Sequence, residues 1–319
     1  MAERSDFTAL LEKGHDWFWE SYDMLPKMYP EIFRVDTTKQ AYIETTSGVG
    51  VGRLYEKGEF EDITSASPIE GYTIVARNRE WAVDIPISKE LQDDVTKLGN
   101  FMRSMMPQLS EAVVDTKEEF YAKFFNKGGY TAGNAVFNGT IVGVKSDDSG
   151  DLAYDSKPFF NLSGNNRSSK GGGTYYNGEA NDFSKANLQS AYTLMTSTNN
   201  RRENDTRCRI VPDIVLAKDD MYFSIKEVLD SPENPTTSMR STNVAYRLLN
   251  QKTWQYLDDT DAWFLGKAKK GLVALERKAP EFDIWEDKKK KAMFLSVYTR
   301  FGGYVENWRY WYGSNFSTS

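Results

Sequence analysis

Residues able to do chemistry are few in this chain, and their spacing does not favour it. There is one histidine, His15, and one cysteine, Cys208. A Ser-His-Asp or Cys-His arrangement would have to use that single imidazole, and no G-x-S-x-G elbow occurs. Cys208 sits in T-R-C-R-I, a basic setting able to lower a thiol pKa, although a partly buried structural cysteine is the commoner outcome. With one histidine and one cysteine, a metal site built on imidazole and thiolate is excluded by counting. Carboxylates remain. Asp147-Asp148 and the D-D-T-D run from Asp258 to Asp261 could hold a divalent ion. Neither has the glycine-pivoted spacing of a calcium loop, and turn or cap duty is the usual role of such runs. The run K-G-G-G-T-Y-Y-N, residues 170–177, invites comparison with a phosphate loop. Its lysine precedes the glycines and no apolar strand leads into it, so it reads as an exposed loop. No catalytic, cofactor-binding or metal-binding residue is assigned, and no enzyme is expected.

Composition narrows the class further. At 319 residues the chain is long enough for two domains with real cores. Hydrophobic residues make up 39% and aromatic ones 14%, which excludes global disorder. No apolar run reaches transmembrane length and M-A-E-R-S-D-F is not a secretory signal, so a cytoplasmic site of synthesis and no membrane partner are expected. A net charge of −6 disfavours a dedicated nucleic-acid binder. The one strong basic run, Lys288 to Lys291, reads as a solvated turn.

The elements that would position any function are more informative. Residues 49–60 and 72–85 each alternate in the manner of strands, with a polar, proline-containing tip between them, and predict a two-stranded ribbon. A lone hairpin is marginal in water, so the ribbon needs a platform. Next comes a helix expected from 88 to about 125, with Ser88 as N-cap and Gly128-Gly129 as stop. Its apolar face runs Leu91, Val95, Leu98, Met102, Met105, Leu109, Val113, and then Phe120 and Phe124. Pro107 predicts a kink or break within it.

Upstream, Phe7, Leu10, Leu11, Trp17 and Phe18 suit one face of an arm helix, ended by Pro26 and Pro30. Downstream, 134–144 reads as a strand pair, Ser184 caps a helix with Leu188, Tyr192 and Met195 on one face, and 210–217 is a buried strand followed by a helix. Residues 260–276 suggest a turn and a strand pair. The aromatic end predicts two antiparallel strands meeting near Gly302-Gly303.

This order of elements resembles the major capsid protein family of tailed bacteriophages, the HK97-like fold. The resemblance is carried by G-V-G-x-L-Y-E-K-G-E-F (50–60), I-P-I-S-K-E-L-Q-D-D (85–94), the 116–120 stretch and K-P-F-F-N-L (157–162). G-G-G-T-Y-Y-N, A-N-L-Q-S-A-Y-T-L-M, R-I-V-P-D-I-V-L, D-A-W-F-L-G and F-G-G-Y-V-E-N-W-R-Y-W-Y-G complete it. None is specific alone; in order they span nearly the whole chain.

The resemblance implies an α+β subunit with an N-terminal arm (1–44), an extended β-hairpin loop (45–80) and a peripheral domain bearing a long spine helix (81–130). An inserted axial domain (131–288) and C-terminal peripheral strands (289–319) follow. It implies self-assembly as pentamers and hexamers into an icosahedral head that encloses double-stranded phage DNA, with the virion as final location. Implied partners are further copies of the chain, a portal, a separate scaffolding protein (the arm begins at Met1) and decoration proteins. Loops 234–240 or 164–173 would form the axial tip. Some relatives link subunits through a Lys–Asn bond; Lys57 lies in the loop, but no partner asparagine is evident and no cross-link is expected.

In that setting the loop's charged residues Arg53, Lys57, Glu59, Glu61, Arg77 and Arg79 suit register-setting contacts to a neighbouring subunit. Leu54, Tyr55 and Phe60 would supply the apolar part. From the arm, Phe7, Leu11, Trp17 and Phe18 would reach a neighbour. Two other classes compete. An encapsulin-type compartment shell shares the fold and differs only in its contents. A carbohydrate-active enzyme with two facing carboxylates comes third.

Overall fold

The computed structural model describes residues 4–46, 54, 56–63, 73–90, 95–129, 157–233, 242–287, 289–290 and 292–318. The chain opens with α1 (Arg4–Met24), α2 (Tyr29–Ile32), β1 (Arg34–Thr37) and β2 (Tyr42–Thr46), then β3 (Thr73–Arg77), β4 (Arg79–Ile87) and the spine helix α3 (Val95–Asn126). The middle holds the short strands β5 (Arg167–Ser168), β6 (Thr174–Tyr175) and β7 (Gly178–Glu179), then α4 (Lys185–Thr193), β8 (Ile214–Ala217), α5 (Tyr222–Asp230), β9 (Asn250–Thr253) and β10 (Trp263–Gly266). It ends with the long hairpin β11 (Leu272–Asp287) and β12 (Ala292–Val305), and β13 (Trp311–Ser314).

Two sheets organise the subunit, in strand orders β1-β11-β12-β4 and β7-β13-β10-β8-β9. At 32 residues, α3 is about 48 Å long and runs along the four-stranded sheet. Its C-terminal half, with Phe120, Tyr121, Phe124 and Phe125, is the centre of an aromatic core that also takes in Phe301 and Tyr304 of β12 and Phe264 and Trp311 of the five-stranded sheet. Its N-terminal half packs Met102, Met106, Leu109 and Val113 against α1 and the far ends of β11 and β12. A third core lies between α4, α5 and the five-stranded sheet.

The expected helices form, with local reasons on view. Ser184 accepts a hydrogen bond from Asn187 N and caps α4, whose Leu188 faces inward with Met195 beyond it. The spine ends at Asn126, just before Gly128, where a Cβ would meet Phe124 O and the Phe160 ring at 2.6 Å. Pro107 lies inside α3 and does not break it. Flanking turns still supply their hydrogen bonds, and the sheet and α1 hold the rod on both sides of it. The strand 214–217 is buried throughout and runs parallel to β9 and antiparallel to β10.

Several expectations are corrected. The ribbon is not one pair of long strands. Its paired stem is β2 with β3, from Tyr42↔Arg77 to Thr46↔Thr73, whereas the described residues 54 and 56–63 are not strand. Beyond Asn78 the second strand leaves this pair: Asn78 binds Ala41 O and Gln40 O, and β4 joins β12 instead. The second side of the ribbon is therefore divided between two sheets, β3 in the stem and β4 in the four-stranded sheet.

Gly302-Gly303 is no turn. β12 runs straight through it, opposite Leu275 and Ala274. The glycines are needed for close approach, since a Cβ on Gly302 would meet Arg77 O at 2.5 Å. The long strand instead turns at its other end, where Lys289 N and Lys290 N donate to Asp287 Oδ1; a solvated basic turn is what residues 289–290 make. Residues 272–287, expected in the inserted domain, share a sheet with 292–305, and 311–314 join the other sheet. For the same reason β10 and β11 do not pair with one another. The expected strand pair 134–144 and the loop 234–240 lie outside the described residues.

Candidate assembly interface

The ribbon stem is rooted in the core. Along β3, Ile74 and Ala76 are buried while Thr73 and Arg77 are exposed, the alternation of a strand with one wet face. Above the stem, Leu54, Phe60 and Ile63 are 101%, 96% and 81% exposed, interleaved with charged residues. Phe60 has φ 65°, a left-handed backbone uncommon for an aromatic residue. A local turn holds it there: Glu61 N donates to Gly58 O, and the Glu61 carboxylate accepts from Gly58 N at 3.0 Å. Lys57, Glu59 and Glu61 are exposed beside it, Arg77 is exposed on the stem, and Arg79 is half-buried at the start of β4. Arg53 and Tyr55 lie outside the described residues.

The arm is placed differently from expectation. Phe18 is fully buried in its own subunit, stacked on Phe282 and Tyr22 within the core under α1. It is therefore not free to reach a neighbour in this arrangement, because α1 lays its apolar face on α3 and β11. Gly14 permits that approach: a Cβ there would meet Met102 Cε at 2.9 Å. Trp17 is half-buried along the same face, and the side chains of Phe7 and Leu11 lie outside the described ones.

Sequence reasoning missed the polar node that ties arm, spine and sheet together. Lys117 Nζ is 2.7 Å from Glu276 Oε1 and 3.3 Å from Tyr22 Oη, with Lys117 almost wholly buried. Tyr29 Oη donates to the same Glu276 oxygen. One residue along, Glu118 accepts from Met28 N, Tyr29 N and Trp254 Nε1 at 2.7, 3.2 and 2.7 Å. Burial opposes ionisation of both glutamates. In Glu276 the Lys117 ammonium outweighs it and the pKa is lowered; in Glu118 burial dominates and the pKa is raised. The charged pair sits inside an apolar helix face, and only its break in the apolar pattern near 116–119 hinted at a second duty.

The remaining chemical candidates take structural roles. His15 accepts from Trp19 Nε1 on the exposed side of α1. Burial raises the Cys208 thiol despite Arg309 and Arg202 nearby. Asp259 Oδ1 accepts from Asp261 N in a turn. Asp205, from the segment after α4, accepts from Ser169 Oγ, Gly173 N and Tyr175 Oη and ties the glycine-rich hairpin to that segment. Burial and that carboxylate push the Tyr175 hydroxyl up to about 12. Among the described residues no group of three or more His, Cys, Asp or Glu side chains is placed to hold a metal ion, and no helix is long and apolar enough to cross a membrane. Asp147-Asp148 lie outside them.

A comparison with curated proteins finds no match. Among solved structures, the chain is similar to the capsid subunit of an empty GTA particle, with 12% identity, 94% of this chain and 97% of that one covered, and a TM-score of 0.54. The capsid of the native GTA particle gives 13% identity, 91% and 90% coverage and a TM-score of 0.50. At such identities the likeness is one of fold, the HK97-like capsid fold. The sequence model described as phage capsid protein matches residues 71–314, from the ribbon's second strand to the end of β13. With that match spanning most of the chain, over the spine helix and both sheets, the chain belongs to the phage capsid protein family, whose members are structural proteins of the virion.

Proposed function

We propose that this chain is the major head subunit, self-assembling as pentamers and hexamers into an icosahedral shell around double-stranded phage DNA. The observation that carries the reading is the extended loop: a stem rooted in the core lifts Leu54, Phe60 and Ile63 almost fully into solvent. A surface of this kind is expected to be covered by another copy. In a closed shell each contact can be modest because many copies add them.

In this reading residues 45–80 form the extended loop and lie over an adjacent subunit, and 81–130 belong to a peripheral unit. The inserted axial unit spans about 131–270, since β11 returns to the four-stranded sheet. Phe7, Leu11 and the open side of Trp17 meet a neighbour, and the subunits are not cross-linked. Portal, scaffolding and decoration proteins are partners, and the net charge of −6 suits DNA that is enclosed without sequence-specific binding.

The test is electron microscopy of the protein expressed alone and with the products of neighbouring genes, with mass by size exclusion. Closed shells, or rings of five and six, are expected, with double-stranded DNA inside particles made during infection. Deleting residues 59–71 is expected to leave folded subunits that do not assemble. A monomer under all conditions would overturn the reading, and particles filled with an enzyme would replace the genome by a protein cargo.

A further inference from the structure

One groove has a charge opposite to that of the chain as a whole. It has a volume of about 820 Å³ and lies between β2, the 201–210 segment and the stretch joining β12 to β13. Two of its cations are already engaged: Arg34 with Glu306 at 2.9 Å, and Arg309 with Glu203 at 2.7 Å, the latter pair buried. Arg201 donates to Asp205 O. The other four, Arg202, Arg207, Arg209 and Lys270, are exposed and carry no ion pair among the described residues. Like charges gathered in one concavity repel each other and raise the local potential, so they call for an anionic occupant. Half-buried Tyr310 and buried Ile210 give the same groove an apolar wall.

We propose that this groove receives the acidic tip of a second copy's extended loop, residues 54–63; the inference rests on the shell-subunit reading above. That tip carries Glu56, Glu59, Glu61 and Asp62 against the single Lys57, with Phe60 bare among them. Guanidinium forks bind carboxylates in pairs, and Phe60 has an aromatic partner in Tyr310. The subunit's own tip leaves the groove open, since Leu54 and Phe60 are almost fully exposed. A short acidic segment suits the groove better than a nucleic acid does. A long polyanion would also have to run across the rest of a surface whose net charge is −6, whereas the tip touches only the basic concavity. A neighbour's loop also arrives at high effective concentration within a ring.

The test has two parts. In the first, a fluorescent peptide of residues 54–63 is titrated onto unassembled subunits and followed by anisotropy, which needs no shell. Binding that weakens at least tenfold in the Arg207→Glu/Arg209→Glu variant, and with added salt, is expected; no binding to the native subunit overturns the proposal. In the second, shell formation is scored for that variant, for Glu59→Lys/Glu61→Lys, and for the fourfold charge swap. Each pair alone is expected to abolish shells and the swap to restore them. Native-like shells from the groove variant would sink the groove while leaving the shell reading intact. A swap that stays inactive, with loss of binding to a labelled 20-nucleotide DNA in the groove variant, would assign the groove to phosphodiesters instead. If the native chain forms no shells at all, the shell reading fails and the peptide titration still decides the groove.

Discussion

Lys117 Nζ and Glu276 Oε1 meet at 2.7 Å, joining the C-terminal half of the spine helix to the central strand pair at a point where the lysine is almost completely buried. Tyr22 of α1 and the Tyr29 hydroxyl of α2 close on the same pair. The arm, the spine and the sheet are thus fixed to each other by one ion pair and its hydrogen bonds, within the subunit that any assembly must use as its rigid part.

Breaking this pair on one side leaves a charge without its partner. Lys117→Met is expected to destabilise the subunit by about 3 kcal/mol, the low end for buried pairs because Glu276 keeps some solvent access. Pairing it with Glu276→Leu is expected to recover most of that loss. Chemical denaturation of the three variants measures it; equal losses in the single and double variants would contradict the coupling.

The two neighbouring glutamates give opposite pH responses. The folded pKa of Glu276 is lowered below the ordinary 4.5, so its stabilisation is complete above that value and is lost as pH falls through the lowered one. Glu118 is raised, so folding is favoured below 4.5 and loses that advantage as pH climbs through the raised value. Thermal melts across the acid range should therefore fall less steeply below 4.5 in Glu276→Gln than in the native chain. Glu118→Gln should flatten the decline just above 4.5, with an overall loss of about 2 kcal/mol from its three donors.

Gly302→Ala places a Cβ 2.5 Å from Arg77 O, where the ribbon stem crosses β12. Backbone must shift, and a cost of about 2 kcal/mol is expected. Gly303→Ala meets Val273 O at 3.1 Å and should cost less. Melting temperatures in that order support close approach; equal melting temperatures for both variants and the native chain would not.

Cys208 should alkylate slowly at neutral pH, because burial raises its thiol and removes the reactive thiolate. Iodoacetamide labelling followed by mass spectrometry should proceed faster after denaturation than in the native subunit. A native rate above that of free cysteine would show the arginines winning over burial.

Much of the architecture was legible because periodicity records burial. The three- and four-residue steps from Met102 to Phe124, broken once between Val113 and Phe120, gave the spine, Ser184 gave a capped helix, and the apolar 214–217 run gave a buried strand. Strand partners were not legible, because alternation marks which face is wet and says nothing of which strand lies alongside. So the ribbon's second side divides at Asn78 between two sheets, and the Gly302-Gly303 pair, turn-like by residue type, proves to be a crossing point.

The sequence by itself determined the class: an acidic, aromatic-rich α+β chain with a long spine helix, a projecting loop, and one histidine and one cysteine too few for the usual catalytic sites. Only the tertiary structure decided that Phe18 is buried at home, that Lys117 pairs with Glu276 across 159 residues, and that scattered arginines from 34 to 309 line one groove. The reason is physical. Local patterning is fixed by neighbours a few residues away, whereas charge pairing and close backbone approach depend on distances that exist only once the sheets and helix have packed.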